Sequence, residues 1–106
     1  MNTNPLHNSL PEEIVSLVDS LQQLSKKALE AYSPLVDAVI QEHSRDHQRI
    51  ERLLDGILDF CSNDAMLLLY KKLCRYYFAI NPTATAEYIY AYRDMWDSET
   101  EGDQNE

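Results

Sequence analysis

The sequence predicts an all-α protein, a small four-helix bundle with one long helix, on the strength of three observations. Apolar residues recur three and four positions apart along most of the chain, as they do on one face of a helix. The 106 residues include only two glycines and four prolines, too few for the many tight turns of a β-fold. Hydrophobic residues make up 44% and charged residues 25% of the chain, which is ordinary for a globular domain.

Changes in composition predict one domain with two flanking segments. Residues 1–8 are polar, contain an early proline and show no periodicity, so we expect them to be disordered. Residues 9–97 carry the helical patterns and form the predicted bundle domain. Residues 98–106 contain acidic residues and no large apolar residue, which predicts a disordered acidic tail.

The first helix is predicted to run from about residue 10 to residue 31. Ser9 and Glu12 have the spacing of a capping box, in which each side chain bonds a free backbone N–H of the first turn. One face of this helix is apolar, and the other is polar and charged. The apolar face consists of Ile14, Leu17, Val18, Leu21, Leu24, Ala28 and Tyr32.

The second and longest helix is predicted at about residues 34–61, a length of roughly 40 Å at 1.5 Å per residue. Pro34 suits the first turn of a helix and disfavours helical geometry at the residue before it. We therefore expect a turn before Pro34 and two antiparallel helices. A single kinked rod that passes through Pro34 is the alternative.

Two shorter helices complete the predicted bundle, at about residues 65–80 and 82–97. The first of them is apolar round most of its circumference, so we place it at the centre of the bundle. Asn81 and Pro82 form an N-cap and a first-turn proline for the last helix. The outward strip of the central helix consists of Leu68, Lys71, Lys72 and Arg75.

The polar middle of the predicted long helix contains three candidate site residues, His43, Asp46 and His47. They fall on the side that is apolar elsewhere in the helix. Two histidines four positions apart can bind one metal ion, with the aspartate as a third ligand. The interpretation we favour is a buried polar layer satisfied by tyrosine hydroxyls, or a polar seam between two copies of the chain. The sequence thus predicts no metal and no cofactor, with these three residues as the ligands if a metal binds.

Tyrosines and basic residues in the second half of the chain supply further candidate binding residues. We expect Tyr90, and one of the adjacent pair Tyr76 and Tyr77, to point outward, because not all of these side chains can face the core. Exposed tyrosines are favoured at protein interfaces. The basic strip of the central helix stands out on an acidic protein and suits a charge-complementary contact. The candidates are Tyr76, Tyr77, Tyr90, Lys71, Lys72 and Arg75.

Charge and cysteine content narrow the function classes. Nine basic residues against 18 acidic ones give a net charge of −9, which disfavours direct binding of nucleic acid. The two glycines cannot build a phosphate loop, and neither cysteine lies in a CxxC motif or near a histidine in sequence. The first residues lack the pattern of a signal peptide, and no apolar stretch suits a membrane span. We expect a cytoplasmic protein with two reduced, buried thiols that is not an enzyme.

These observations predict a non-enzymatic protein–protein interaction module that acts as a small regulator, adaptor or inhibitor. Its expected partner is another protein, and a homodimer is an open alternative. Small size and acidity resemble the accessory proteins that mobile elements encode. The first alternative is an acidic nucleic-acid mimic that blocks a DNA- or RNA-binding protein. The second is a metal-binding helical bundle.

Overall fold

The computed structural model describes residues 11–97 and confirms the all-α prediction. These residues form four helices packed against each other and contain no strand. In chain order, the helices are α1 (Glu12–Gln41), α2 (His47–Leu58), α3 (Asp64–Phe78) and α4 (Pro82–Trp96). The predictions for residues 1–8 and 98–106 lie outside the described residues.

The long helix lies earlier in the chain than predicted. The 30-residue helix α1 continues through Pro34, so the predicted helix at 34–61 and the predicted turn before it are wrong. A proline inside a helix removes one hydrogen bond and costs about 3 kcal/mol. Pro34 lies on the exposed side of α1, while Ala28, Val36 and Val39 on the other side are buried in the core. Burial of each valine stabilises by roughly 1.5–3 kcal/mol, so packing on both sides of Pro34 offsets its cost.

The chain turns at residues 42–46, where the sequence indicated a continuous helix. His43 has a φ of 55°, the left-handed conformation in which helices commonly end. Its N–H donates to the carbonyl of Ile40 at 3.1 Å, and the N–H of Ser44 donates to the carbonyl of Val39 at 3.0 Å. This pair of hydrogen bonds is a Schellman motif, with histidine at the position usually held by glycine.

Helix α2 begins directly after this turn. The Asp46 side chain accepts a hydrogen bond from the backbone N–H of Arg49 at 3.2 Å and so caps the helix. The guanidinium of Arg49 in turn lies 2.9 Å from the carboxylate of Glu42 at the end of α1. This hydrogen bond, together with the charge of Arg49, lowers the pKa of the Glu42 carboxyl. Both groups are exposed, so the ion pair contributes little stability.

Helix α3 is the centre of the bundle, as its apolar circumference predicted. It packs extensively against each of the other three helices, whereas α4 lies mainly on α3. The core is formed by side chains from α1, α2, α3 and the α2–α3 connection. Its buried apolar residues are Ala28, Val36, Val39, Ile50, Leu54, Ile57, Leu58, Cys61, Met66, Leu69, Tyr70, Leu73, Cys74 and Tyr77.

The described chain is longer and flatter than a sphere. Its radius of gyration is 17.1 Å and its principal extents are 56, 39 and 18 Å, against about 13 Å for the radius of gyration of a compact domain of this size. The apolar face of the first half of α1 stays about half exposed. Between residues 11 and 97, none of the helices combines the length and the apolar character needed to cross a bilayer.

The Tyr32 side chain of α1 packs against Gly56 of α2. A Cβ atom at this position would lie 2.7 Å from Cζ of Tyr32 and closer still to its hydroxyl oxygen. Real side chains do not pack at such distances, so a side chain at residue 56 would displace the Tyr32 ring from this position. A glycine in mid-helix normally costs about 1 kcal/mol relative to alanine. Here the Tyr32 ring occupies the space that a side chain at residue 56 would fill.

The His43 conformation leads to a first prediction. Because a non-glycine residue in the left-handed region is strained, we expect His43→Gly to stabilise the protein by about 0.5–1 kcal/mol. Urea unfolding followed by circular dichroism measures the change. Arg52→Gly, at an exposed position within α2, is the control and should destabilise by about 1 kcal/mol. A loss of stability in His43→Gly as large as in the control would contradict the strained turn.

The Gly56–Tyr32 contact leads to a second prediction. Helix propensity alone predicts that Gly56→Ala stabilises, but overlap with the Tyr32 ring should make it destabilise by about 1–3 kcal/mol. In a Tyr32→Ala background the overlap is gone, and the same substitution should stabilise by about 1 kcal/mol. Chemical denaturation of the wild type, the two single variants and the double variant measures this change of sign. A stabilising Gly56→Ala in the otherwise unchanged protein would disprove the proposed overlap.

Candidate functional site

Two tyrosine hydroxyls connect α3 and α4 to carboxylates of α2. The hydroxyl of Tyr77, whose side chain is fully buried, donates to Oε2 of Glu51 at 2.5 Å. The hydroxyl of Tyr88 donates to Oδ1 of Asp55 at 2.8 Å. Burial, together with the hydrogen bond to Glu51, raises the pKa of Tyr77 to about 12. The same two causes, with Asp55 as the partner, raise the pKa of Tyr88.

Other aromatic side chains donate to backbone carbonyls of neighbouring elements. The Tyr70 hydroxyl donates to the carbonyl of Tyr88 at 2.8 Å and joins α3 to α4. The Tyr76 hydroxyl donates to the carbonyl of Ser44 at 2.7 Å and holds the turn between α1 and α2. The indole N–H of Trp96 donates to the carbonyl of Leu58 at 2.9 Å, at the end of α2. These directional contacts fix the rotation of each helix about its axis and its register against the neighbouring helix. Apolar contacts alone specify rotation and register less precisely.

The structure places the three central candidates at a surface corner. His43, Asp46 and His47 are all exposed, because the turn at 42–46 separates them from the core. The expectation of a buried polar layer at these residues is therefore wrong. His47 stacks edge-on against Tyr77, with ring centroids 5.7 Å apart. His43 lies in the turn and Asp46 caps α2.

The alternative metal site at His43, Asp46 and His47 is not assembled. In the part of the chain that the structure describes, no three histidine, cysteine, aspartate or glutamate side chains come together as a metal ion would require. The tyrosine network that the sequence anticipated does exist, but its carboxylates are Glu51 and Asp55. They follow His47 by one and two helical turns and face α3 and α4.

The basic strip of α3 divides between two surfaces. Lys72 points toward α1 and forms an ion pair with Asp37, in which Nζ lies 2.8 Å from Oδ1. Lys71 and Arg75 lie on the other side and line a cleft between α3 and α4. Neither has an ion-pair partner within residues 11–97. The other outward residue of this strip, Leu68, is 67% exposed.

A concave surface lies between α3 and α4. Its volume is about 510 Å³, which is within the range of roughly 300–1,000 Å³ typical of ligand sites. Its walls are mainly apolar, and its rim carries cationic side chains. The lining residues are Leu67, Tyr70, Lys71, Cys74, Arg75, Phe78, Thr85, Ile89, Tyr92 and Arg93. We refer to this surface as the α3/α4 cleft.

Two residues of the α3/α4 cleft expose large apolar side chains. Phe78 is 58% exposed at the end of α3, and Ile89 is 44% exposed in the middle of α4. Tyr90, a predicted interface residue, is 60% exposed on α4, but it is not part of the cleft lining. Tyr76 is half-buried and Tyr77 is buried, so their hydroxyls serve the contacts within the fold described above.

The thiol of Cys74 lies at the cleft and that of Cys61 lies in the core. Both cysteines are free and buried, as predicted. Burial raises the pKa of the Cys61 thiol to about 12 and that of the Cys74 thiol to about 11. Both therefore remain protonated at neutral pH. A protonated thiol is a weak nucleophile, so Cys74 contributes to the cleft as a small apolar side chain.

The sequence indicated two of the cationic residues of the cleft, Lys71 and Arg75, but not its apolar walls. Phe78 and Ile89 recur at helical spacing with other apolar residues of α3 and α4, a pattern that does not distinguish a covered face from an open one. The available signal was the apolar circumference of α3, because a helix that is apolar round most of its circumference needs neighbours on most of its sides. Three neighbouring helices leave part of that circumference open.

Comparison with known proteins gives no match to a family model, to a curated protein or to a solved structure.

The contact between Tyr77 and Glu51 leads to a third prediction. Loss of this charge-assisted hydrogen bond should make Tyr77→Phe less stable than the wild type by about 1–2 kcal/mol at neutral pH. Tyr90→Phe, on the exposed side of α4, should change stability by less than about 0.5 kcal/mol. Equal effects of the two substitutions in thermal or urea unfolding would contradict a stabilising role of the Tyr77 hydroxyl.

The raised pKa of Tyr77 also fixes how stability depends on pH. The pKa is about 12 in the folded protein against an ordinary value of 10.0, so between these values the folded state binds the additional proton. The contribution of Tyr77 is complete below about pH 10 and is lost as pH rises toward about 12. The free energy of unfolding should therefore fall less steeply with alkaline pH in Tyr77→Phe. An unchanged slope would contradict the assignment.

Proposed function

We propose that this protein is a non-enzymatic binding module, a small regulator, adaptor or inhibitor, that holds a segment of another protein in the α3/α4 cleft. The observation that carries the proposal is the combination of an apolar cleft, exposed large apolar side chains and a cationic rim on an otherwise acidic chain. Apolar walls give binding energy, and the charges at the rim give orientation and specificity.

The chemistry of the cleft defines the segment that fits it. Phe78 and Ile89 can bury apolar side chains of a partner, and Lys71 and Arg75 can pair with carboxylates beside those side chains. An amphipathic helix with an acidic edge has this pattern, and a groove between two helices is a common docking site for such a helix. Binding would neutralise two cations that have no ion-pair partner within residues 11–97.

The cationic rim is unusual because the protein as a whole repels acidic partners. A net charge of −9 slows the approach of another acidic protein, except where the local potential is positive. The cleft is therefore the surface at which an acidic segment would be attracted and then retained. A protein partner is favoured over a nucleic acid, because the much higher negative charge density of a nucleic acid would be repelled by the acids around the cleft.

The nucleic-acid mimic is supported less well by the arrangement of the acids. Glu51, Asp55 and Glu87 lie around a depression of about 210 Å³. Glu51 and Asp55 accept hydrogen bonds from tyrosines of the same chain. Carboxylates engaged in this way are less available to imitate a row of phosphates. Competition by duplex DNA for a partner, with a strong dependence on salt, would favour the mimic over the binding module.

The proposal leads to a prediction on partner capture. Affinity enrichment from cells that naturally contain the protein, read by quantitative mass spectrometry, should show a partner that depends on the cleft. Phe78→Ala should reduce its capture by at least about tenfold, the usual effect of an aromatic residue at the centre of an interface. Arg75→Glu should reduce it to a similar degree because it reverses a rim charge.

Lys72→Glu is the matched control for Arg75→Glu. It makes the same change of charge on the same helix, but its side chain lies at α1 and outside the cleft lining. Capture should be close to that of the wild type in this variant. Circular dichroism of each variant verifies the helical content. Loss of capture in Lys72→Glu equal to that in Arg75→Glu, or retention of capture in both cleft variants, would refute the proposed site.

A further inference from the structure

The first half of α1 carries an apolar stripe that the rest of the described chain leaves open. Its five large apolar side chains are between 42% and 55% exposed. Further along the same helix, from residue 28 onward, the stripe enters the core. The open part consists of Ile14, Leu17, Val18, Leu21 and Leu24, and we refer to it as the α1 stripe. It is separate from the α3/α4 cleft.

The spacing of the α1 stripe is that of a helix made to pair with another helix. Ile14, Leu17, Leu21 and Leu24 alternate steps of three and four residues, which is the a and d pattern of a coiled coil. An isolated helix shorter than roughly 12–15 residues is only marginally stable in water. The exposed helical segment at residues 12–27 is close to that limit. A second helix on the stripe would cover the apolar side chains and stabilise the segment.

We propose that the α1 stripe binds the α1 stripe of a second copy of the chain, with the two helices antiparallel. In the register that centres the stripe, Ile14 faces Leu24 of the partner subunit and Leu17 faces Leu21 of the partner subunit. The same register brings Glu13, on the flank of the stripe, near Lys27 of the partner subunit. By symmetry each dimer contains two such pairs of opposite charge.

Charge and shape both favour the antiparallel orientation. Glu12 and Glu13 lie in the first turn of α1, and Lys26 and Lys27 lie at the other end of the exposed segment. A parallel pair would place acids beside acids and lysines beside lysines, with the two helix dipoles aligned unfavourably. It would also bring both bundles, which pack on the second half of α1, to the same end of the pair. The antiparallel pair separates the bundles.

The first experiment is sedimentation velocity of the full chain over a wide range of concentration. We expect the wild type to pass from monomer to dimer. The double variant Leu17→Gln/Leu21→Gln, which keeps good helix formers but removes the centre of the stripe, should remain a monomer. Because both side chains lie outside the core, circular dichroism should show a folded bundle. A wild type that stays monomeric at high concentration, or a dimer that survives this double variant, overturns the proposal.

A charge exchange tests the orientation. In the antiparallel dimer, Glu13→Lys or Lys27→Glu alone should weaken dimerisation by about five- to tenfold, since two exposed ion pairs become repulsive. The double variant Glu13→Lys/Lys27→Glu should restore it. Asp19→Lys is the control, with its charge change on the outer face, and should leave dimerisation unchanged. In a parallel dimer each residue lies beside its own copy, so reversing one charge leaves like charges together and the single variants should dimerise as the wild type does. Single variants without effect, or single variants that the double variant does not rescue, overturn the proposed arrangement.

Discussion

The fold depends on one constraint, the need to cover a helix that is apolar round most of its circumference. α3 supplies six of the core residues, among them Leu73 and Tyr77, and its surface must be removed from water. α1, α2 and α4 each take one side of it. This requirement outweighs the local cost of Pro34, because a helix that ended there would lose the contacts of Val36 and Val39. The α3/α4 cleft lies where the other helices leave part of the α3 surface uncovered.

Directional hydrogen bonds fix the relative orientation of the helices, which burial of apolar side chains does not specify by itself. The hydroxyls of Tyr77 and Tyr88 reach Glu51 and Asp55, which are one turn apart on α2. These contacts fix α3 and α4 against the same helix, so a rotation of either would break a charge-assisted hydrogen bond. Among the described residues, no buried side-chain polar atom lacks a hydrogen-bond partner. Hydrogen bonds between helices therefore hold the bundle together in addition to its apolar core.

The two exposed apolar surfaces differ in chemistry and suit different partners. The α3/α4 cleft is concave and cationic at its rim, which favours an acidic, amphipathic segment of another protein. The α1 stripe is a regular seam between acids at one end and lysines at the other, which favours a copy of itself. Because the two surfaces share no residues, one copy could use both at once. A dimer formed through α1 would then present two clefts, and binding of a bivalent partner would gain in affinity from their linkage.

The sequence by itself determined the helical class, the central position of α3, the buried cysteines and the cap at Asn81, because periodicity and capping act over a few residues. Asn81 accepts a backbone hydrogen bond from Ala84, as its position indicates. Only the tertiary structure decided where α1 ends. No glycine marks the turn at His43, and the signal of Pro34 was stronger than any signal at residues 42–46. Which helices lie next to each other also decides two further features. One is the identity of the carboxylates that accept the tyrosine hydrogen bonds, and the other is the side of α3 that stays open. Such contacts join residues about 30 positions apart in the chain, and a local pattern carries no information about them.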